Sequence, residues 1–353
     1  MTLTVPPRRT ATSWLSGARR LAALAATPLV PADYVDLIAP LASRSDLRAR
    51  VLAVEPETAD AATIWLRPGR GWRGHVPGQY VRLGVDVDGV RHWRAYSVTA
   101  ADGDRIAVTV KAIPDGVVSN HLVRRTEPGT VVQLDQATGD FVLPAVPGPL
   151  LFVTGGSGIT PVMGMLRSGA PDDVVLIHSA QTRDDVVFGA ELRALAAAGA
   201  IRLVEIHNDT DGLLDVRTLP TLVPDLADRE VFTCGPTGLM DAVEEELAGL
   251  GLLERLHAER FRPSILAIGE GGTATFGTTA VEAPGDRPLL DVGEEAGVLM
   301  PSGCRMGICF GCVLPLREGA VRDLRSGDLT TAGPGVLVQT CVSAAAGACD
   351  LDV

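Results

Sequence analysis

Four thiols in this chain stand at a spacing suited to metal chemistry. Cys304, Cys309, Cys312 and Cys341 form a C-x4-C-x2-C run with a fourth cysteine 29 positions on, in a chain of 353 residues with six cysteines. Four thiolates spaced in this way hold a [2Fe–2S] cluster. Zinc is more often held by paired CxxC knuckles or by Cys and His together. No histidine follows His257, so this segment can build neither a Cys2His2 zinc site nor a histidine-ligated cluster. Gly303, Gly307 and Gly311 let the loop bend tightly and turn backbone N–H groups toward sulfur. A disulfide or buried free thiols would be the blander use of the same residues. Cys349 has no place in the pattern.

The flanking segments must hold that loop still. "TATFGTTAVEAP" and "GVLVQTCVSAA" alternate and are rich in β-branched residues, so both are predicted strands; "LLDVGEEAGV" is a predicted short helix ahead of the cysteines. Over residues 264–353 the chain resembles a plant-type ferredoxin domain, which implies a small α+β β-grasp fold. In that stretch Asp and Glu outnumber Arg eleven to five. Such a face would attract a basic protein partner at low salt.

A one-electron centre needs a donor. "PLLFVTGGSGITPVMGML", from Pro149, is an apolar strand that runs into glycines and then a helix. Gly156, Gly158 and Pro161 make GxGxxP, one position away from the GxGxxG dinucleotide fingerprint, with Gly155, Ser157 and Thr160 completing the turn. Phosphate can approach backbone N–H groups there, at the positive end of the helix, and proline in the first turn removes an N–H that had no partner. Three further strand-like runs, "DVVLIHSAQ", "IRLVEIHND" and "REVFTCGP", alternate with the helical stretches "FGAELRALAAAG" and "PTGLMDAVEEELAGLG". That alternation predicts a parallel, doubly wound α/β sheet, which binds ligands at the carboxyl ends of its strands. Both the glycine turn and Cys234-Gly235-Pro236 fall at such ends.

Upstream, "RAYSVT" at 94–99 lies on a predicted strand after "GHVPGQYVRLGV", and "GVVSNHL" at 116–122 begins a predicted helix. Singly these are ordinary. In succession, GQY, RxYS, GxxS, GxGxxP and CGP resemble the ferredoxin–NADP reductase superfamily, and with the ferredoxin-like module the resemblance covers residues 49–353. It implies a multidomain protein: an N-terminal helical extension over 1–48, an antiparallel β-barrel flavin domain over 49–145, an α/β nicotinamide-binding domain over 146–260, and the ferredoxin domain over 264–353.

The resemblance also implies roles. Arg94 would pair with a flavin phosphate, Ala95 would lie beside the isoalloxazine, Tyr96 would stack on it, and Ser97 would hydrogen-bond near N5, where hydride arrives. Gly116, Val117, Val118 and Ser119 would cradle the pyrophosphate at a helix N-terminus, and Lys111 would lie near the polar edge of the ring. Cys234 would steer the nicotinamide toward N5, a matter of position and not of thiol reactivity. Ser97 and Cys234 are therefore the catalytic candidates. As a surface ion pair and a core edge residue, Arg94 and Tyr96 also have ordinary readings.

FAD is expected over FMN, because "VKAIPDGVVSNHL" resembles the phenylacetate-oxygenase and fatty-acyl-desaturase reductases. The second α/β strand ends in "HSAQTRDDVVF", where Ser179 and Arg183 favour a 2′-phosphate and hence NADPH, while Asp184 and Asp185 pull the other way. The implied path runs from NADPH to FAD, then in single electrons to the [2Fe–2S] centre, which in plant-type proteins sits near about −400 mV, and on to an oxygenase. "TPLVPADYVDLIAPLASR" resembles actinobacterial reductases that serve stearoyl-CoA desaturases, so a membrane-bound fatty acyl-CoA desaturase docking on the acidic ferredoxin domain is the expected acceptor. The alternatives are an aromatic-ring hydroxylase, an alkane hydroxylase or a cytochrome P450, or a stand-alone NAD(P)H oxidase or quinone reductase.

Composition narrows the field further. A net charge of −12 with a single lysine, Lys111, argues against a nucleic-acid surface. No apolar run approaches the ~20 residues that cross a bilayer, so no transmembrane segment is expected and the cytoplasm is the expected compartment. "SWLSGARRLAALAATPLVPADYV" sets Arg19 and Arg20 ahead of an apolar stretch. It reads as a helix docked on the body of the protein, with a signal peptide or a surface resting on a membrane as alternatives.

Overall fold

The computed structural model describes residues 39–42, 46–114, 116–169, 173–261, 267–307 and 310–353. The expected N-terminal extension falls almost wholly outside the described residues, and so does Cys309.

Six antiparallel strands form a closed barrel: β1 (Arg48–Pro56), β2 (Ala61–Pro68), β3 (Tyr80–Val87), β4 (Val90–Asp102), β5 (Arg105–Lys111) and β6 (Val131–Leu134), in the order β1-β2-β5-β4-β3-β6. Strict alternation builds it: Val81, Leu83, Val85 and Val87 on β3 and Ile106, Val108 and Val110 on β5 all turn inward and are buried. Asp88 and Gly89 join β3 to β4 with both φ angles positive, at 50° and 83°. This two-residue Asp-Gly turn is the kind a tight hairpin prefers. Helix α1 (Val117–Arg124) follows β5 and buries Val118 and Leu122 in the barrel core.

Next comes a five-stranded parallel sheet. Its elements are β7 (Leu150–Gly155), α2 (Ile159–Arg167), β8 (Val174–Ala180), α3 (Gly189–Ala197), β9 (Arg202–His207), β10 (Glu230–Cys234), α4 (Thr237–Gly249) and β11 (Leu256–Glu259), with strand order β11-β10-β7-β8-β9. The first strand is central, so the order reverses beside it. Every residue of β7 and β8 is buried, as expected for inner strands covered on both faces. Strand β11 was not legible in the sequence, because "LHAE" is short and does not alternate.

The C-terminal elements are β12 (Gly272–Phe276), β13 (Thr279–Ala283), α5 (Leu289–Glu295), β14 (Val313–Asp323), β15 (Leu329–Thr331), β16 (Leu337–Gln339) and β17 (Ser343–Leu351). They form a mixed sheet in which β12 and β17 run parallel and the other pairs antiparallel, packed on α5 around its own core. Two expected strands prove to be pairs. "TATFGTTAVEAP" turns back at Gly277, whose φ is 61°. "GVLVQTCVSAA" breaks after Gln339 and resumes at Ser343, which takes Cys341 out of the ladder.

Barrel and parallel sheet are locked together by α2 lying on β4. Arg167 Nη1 donates to the Thr99 carbonyl at 3.1 Å, and Phe141 from the barrel side packs edge-on against Phe232 of β10, ring centroids 5.3 Å apart. Where the two elements cross, a Cβ on Gly164 would overlap the Val98 carbonyl oxygen. Gly164→Ala should therefore destabilise the protein by ~1–3 kcal/mol, the usual cost of overpacking, whereas Gly148→Ala, with open space around it, should leave thermal melts unchanged. Equal melting temperatures for both variants would contradict this packing.

Candidate functional site

Strand β4 brings Arg94, Ala95 and Tyr96 to the wall of a cleft of about 540 Å3. Gly116, Val117, Val118 and Ser119, at the start of α1, form a second wall, and Lys111 and Phe261 also line it. Pro288, Glu294, Cys304, Arg305 and Cys341 of the C-terminal domain close the far side. Deeper lies a pocket of about 150 Å3 bounded by Tyr96 and Ser97 of the barrel, Ser157 and Thr160 of the glycine turn, Glu259 and Phe261, and Cys304 and Met306 of the cysteine loop. Three domains thus meet in one place. The Thr160 hydroxyl donates to Ser97 Oγ at 3.3 Å.

The charges in this cleft are arranged for an anion. Arg94 makes no ion pair among the described residues; its side chain donates to the Trp93 carbonyl at 2.8 Å. Burial pulls the Arg94 guanidinium below its ordinary range, and neighbouring Arg305 pulls it further. Arg305 is already paired with Asp291 and Glu294, so the half-buried Arg94 is the cation left to meet a negative group. Burial likewise pushes the Tyr96 phenol up, so it stays neutral. A phosphate on Arg94 with a flat ring against Tyr96 suits these walls, so the residues present fit a flavin nucleotide.

A neighbouring cleft of about 630 Å3 runs over the carboxyl ends of β7, β8 and β10. Gly155, Gly156, Ser179, Gln181, Asn208 and Pro236 line it, with Asp60 and Lys111 from the barrel. The glycine turn and the Cys-Gly-Pro turn press together: a Cβ on Gly158 would overlap the Cys234 carbonyl, and one on Gly235 would crowd Gly155. Pro161 is buried in the first turn of α2. Ser179 Oγ donates to Asn208 Oδ1 at 3.0 Å. Arg183 does not line this cleft, whereas Asp185 from the same turn does. Cys234 lies one layer beneath, fully buried, and burial pushes its thiol well up. Lys111 borders both clefts and the deep pocket, with Nζ 2.6 Å from Asp60 Oδ1.

Cys304, Cys312 and Cys341 are buried and form no disulfide among the described residues. The Cys341 and Cys312 thiols hydrogen-bond, and that contact together with burial raises the Cys341 thiol. Met306 N–H points at Cys304 Sγ from 3.3 Å, and Gly307 N–H is directed at Cys341. The Gly307 carbonyl is held in turn by Arg325 and Gln339, each at 3.0 Å. Among the described residues no three His, Cys, Asp or Glu side chains form a ready metal group; Cys309, the fourth expected ligand, is not one of the described residues. N–H groups directed at sulfur are what a thiolate-held cluster asks of its loop, so the donor set fits an iron–sulfur centre.

Sequence reasoning missed Glu259, Phe261 and Met306. Glu259 sits beside Cys234 in the parallel register of β10 and β11. The residue is half-buried, but its Oε2 is shut off from solvent without a hydrogen-bond partner, and burial pushes the carboxyl up to about 8. The rule that picked out Cys234, the carboxyl end of a parallel strand, applies equally to Glu259. It was passed over because β11 itself was not recognised.

Comparisons with known proteins agree with this layout. Residues 70–143 match an oxidoreductase FAD-binding domain, 152–245 an oxidoreductase NAD-binding domain, and 274–346 a 2Fe-2S iron-sulfur cluster binding domain. The chain is 48% identical to an NADPH oxidoreductase of Mycobacterium tuberculosis, over 95% of this chain and 92% of the relative. It is 32% identical to the ferredoxin reductase component of a 3-ketosteroid-9-alpha-monooxygenase from the same species, over 78% and 82%. Among solved structures it is similar in fold to phthalate dioxygenase reductase, with a TM-score of 0.61 and 23% identity over 87% of this chain and 97% of the other.

Two outcomes follow from the geometry. Gly158→Ala should force the two turns apart and raise the KM for the nicotinamide cofactor at least ~10-fold with the flavin absorbance retained; an unchanged KM would contradict the contact. Glu259 ionises at the ordinary carboxylate value in the unfolded chain but keeps its proton up to about pH 8 when folded. Folding takes up a proton in that window, so stability falls there as pH rises, by roughly 1 kcal/mol per unit. The stability advantage of Glu259→Gln in denaturant melts should grow from about pH 5 to about pH 8 and then level off. A difference independent of pH would contradict the buried carboxyl.

Proposed function

We propose a function on one premise: the chain belongs to the ferredoxin–NADP reductase superfamily, in the branch that joins FAD-binding, nicotinamide-binding and [2Fe–2S] domains in one polypeptide. It is an oxidoreductase, an electron-transfer reductase of oxygenase systems. Its donor is NADPH, its flavin is FAD, and its acceptor is a fatty acyl-CoA desaturase.

One observation carries most of this reading: Ser97, Thr160 and the cysteine-loop residues Cys304 and Met306, drawn from three domains, border a single pocket. A bound flavin would supply the chemistry that converts a two-electron hydride donor into single electrons for a cluster. The chain supplies the placement. Arg94 and the N-terminal turn of α1 would hold the flavin phosphates, Tyr96 and Phe261 would flank the ring, and Ser97, hydrogen-bonded by Thr160, would offer its hydroxyl to the ring. Gly155, Gly156 and Pro236 receive the nicotinamide cofactor, and Lys111 offers a cation where the two clefts join. Glu259 remains a neutral acid below about pH 8, so it adds no charge beside the reacting atoms. Cys304, Cys309, Cys312 and Cys341 hold the cluster. Cys234 supports the site from below, through the backbone that Gly158 rests on.

The M. tuberculosis relative's description as an NADPH oxidoreductase supports the choice of NADPH, as does Ser179 in the cleft. The desaturase assignment rests on the N-terminal sequence "TPLVPADYVDLIAPLASR". No helix among the described residues is long and apolar enough to cross a membrane, so the reductase would meet such an enzyme at the membrane surface.

Membranes carrying a stearoyl-CoA desaturase, mixed in air with the purified holoprotein, NADPH and stearoyl-CoA, should form oleoyl-CoA, with O2 reduced to water. NADPH oxidation without unsaturated product would rule that acceptor out. Ser97→Ala should slow flavin reduction on the order of 10²-fold, the usual loss on removing one positioned donor, and leave the cluster's absorbance intact. Loss of that absorbance would show that Ser97 serves the fold instead.

A further inference from the structure

Cys304, Arg305 and Cys341 of the cysteine loop border the flavin cleft, so under the function proposed above electrons enter the cluster there. Phe310, two positions before Cys312, does not line that cleft and has 68% of its surface exposed. Its φ is 56°, in the left-handed region where a bulky residue is a true outlier. Gly311 beside it could adopt that conformation freely and does not. Exposure of the ring and strain in its backbone both disfavour phenylalanine here, and neither the domain core nor the flavin cleft uses it.

The surroundings say what such a ring would meet. Each of the five arginines in residues 267–353 is ion-paired with a carboxylate of the same domain. Carboxylates outnumber arginines eleven to five over 264–353, so the balance left to a partner is negative. Leu337 is also exposed, at 60%, on strand β16. That strand is tied to the cysteine loop through Gln339 Nε2 and the Gly307 carbonyl. An aromatic anchor with a charged rim is the usual make-up of a specific protein contact, and an acidic rim steers a basic partner.

We infer that the face over residues 310–312 is the electron exit, where a metalloprotein acceptor with a basic rim docks and receives the Phe310 ring in an apolar notch. One electron leaves the reduced cluster there and reduces one ferric iron of the acceptor to ferrous.

Cytochrome c, a basic protein with an exposed haem edge, serves as the probe, and ferricyanide, a small anion, as the control. In the full-length holoprotein, Phe310→Gly relieves the backbone and removes the ring, so it should fold at least as well as the parent. It should lower kcat/KM for cytochrome c at least tenfold, mainly through KM. NADPH-dependent ferricyanide reduction, the cluster's EPR spectrum and its reduction potential should not move. Phe310→Leu should recover part of the loss. An unchanged kcat/KM for cytochrome c in Phe310→Gly would overturn the exit face, and so would a loss matched by slower cluster reduction within the protein, since Phe310 would then act on the internal relay. A parent protein that reduces ferricyanide but never cytochrome c would remove the proposed function along with it.

Discussion

Helix α2 lies so close to strand β4 that no side chain fits between them at Gly164, and that closeness sets Thr160 3.3 Å from Ser97. Two domains that each bind a nucleotide gain nothing chemically unless their reacting edges are held within contact distance. A glycine at the crossing, an arginine pinned to the Thr99 carbonyl and an aromatic pair hold the two domains in register by non-covalent contacts. The glycine turn then follows from α2 and the flavin walls from β4, so one packed crossing positions both clefts.

Charge is distributed on the same plan. In a chain of net charge −12, cations are concentrated where anionic cofactors would lie. Arg94 has no carboxylate partner among the described residues, Lys111 sits where the clefts join, and Arg305 braces the cysteine loop against Asp291 and Glu294. Elsewhere on the C-terminal domain the arginines are matched by local carboxylates. Arg94 is thus the cation left to meet a phosphate in the flavin cleft, and the C-terminal domain, with eleven carboxylates to five arginines over 264–353, is left negative toward a partner protein.

Much of this was legible in the sequence. The cysteine spacing, the glycine turn after an apolar strand and the alternation of the barrel strands are local signals, and local physics produces them. What escaped was decided by tertiary contact. Glu259 ends, and Phe261 follows, a four-residue strand whose one strand partner among the described residues is β10, and nothing in "LHAE" announces it. Cys234 stands at the carboxyl end of its strand and was expected to steer the nicotinamide, yet it is fully buried, with its carbonyl against Gly158. Arg183 and Asp185 share one short turn, and only the path of the chain after β8 decides that Asp185 faces the cleft. The break that frees Cys341 from its ladder was hidden because both halves alternate alike.

Residues of the flavin wall, the glycine turn and the cysteine loop border one pocket within a single polypeptide, so electrons should pass between the three domains without any encounter between molecules. The direct measurement mixes anaerobic holoprotein with NADPH in a rapid-freeze apparatus and follows the EPR signal of the reduced cluster across a range of protein concentrations. Intramolecular transfer predicts a signal that rises with one rate constant at every concentration. A rate that scales with protein concentration, or a cluster that stays oxidised while NADPH is consumed, would contradict it.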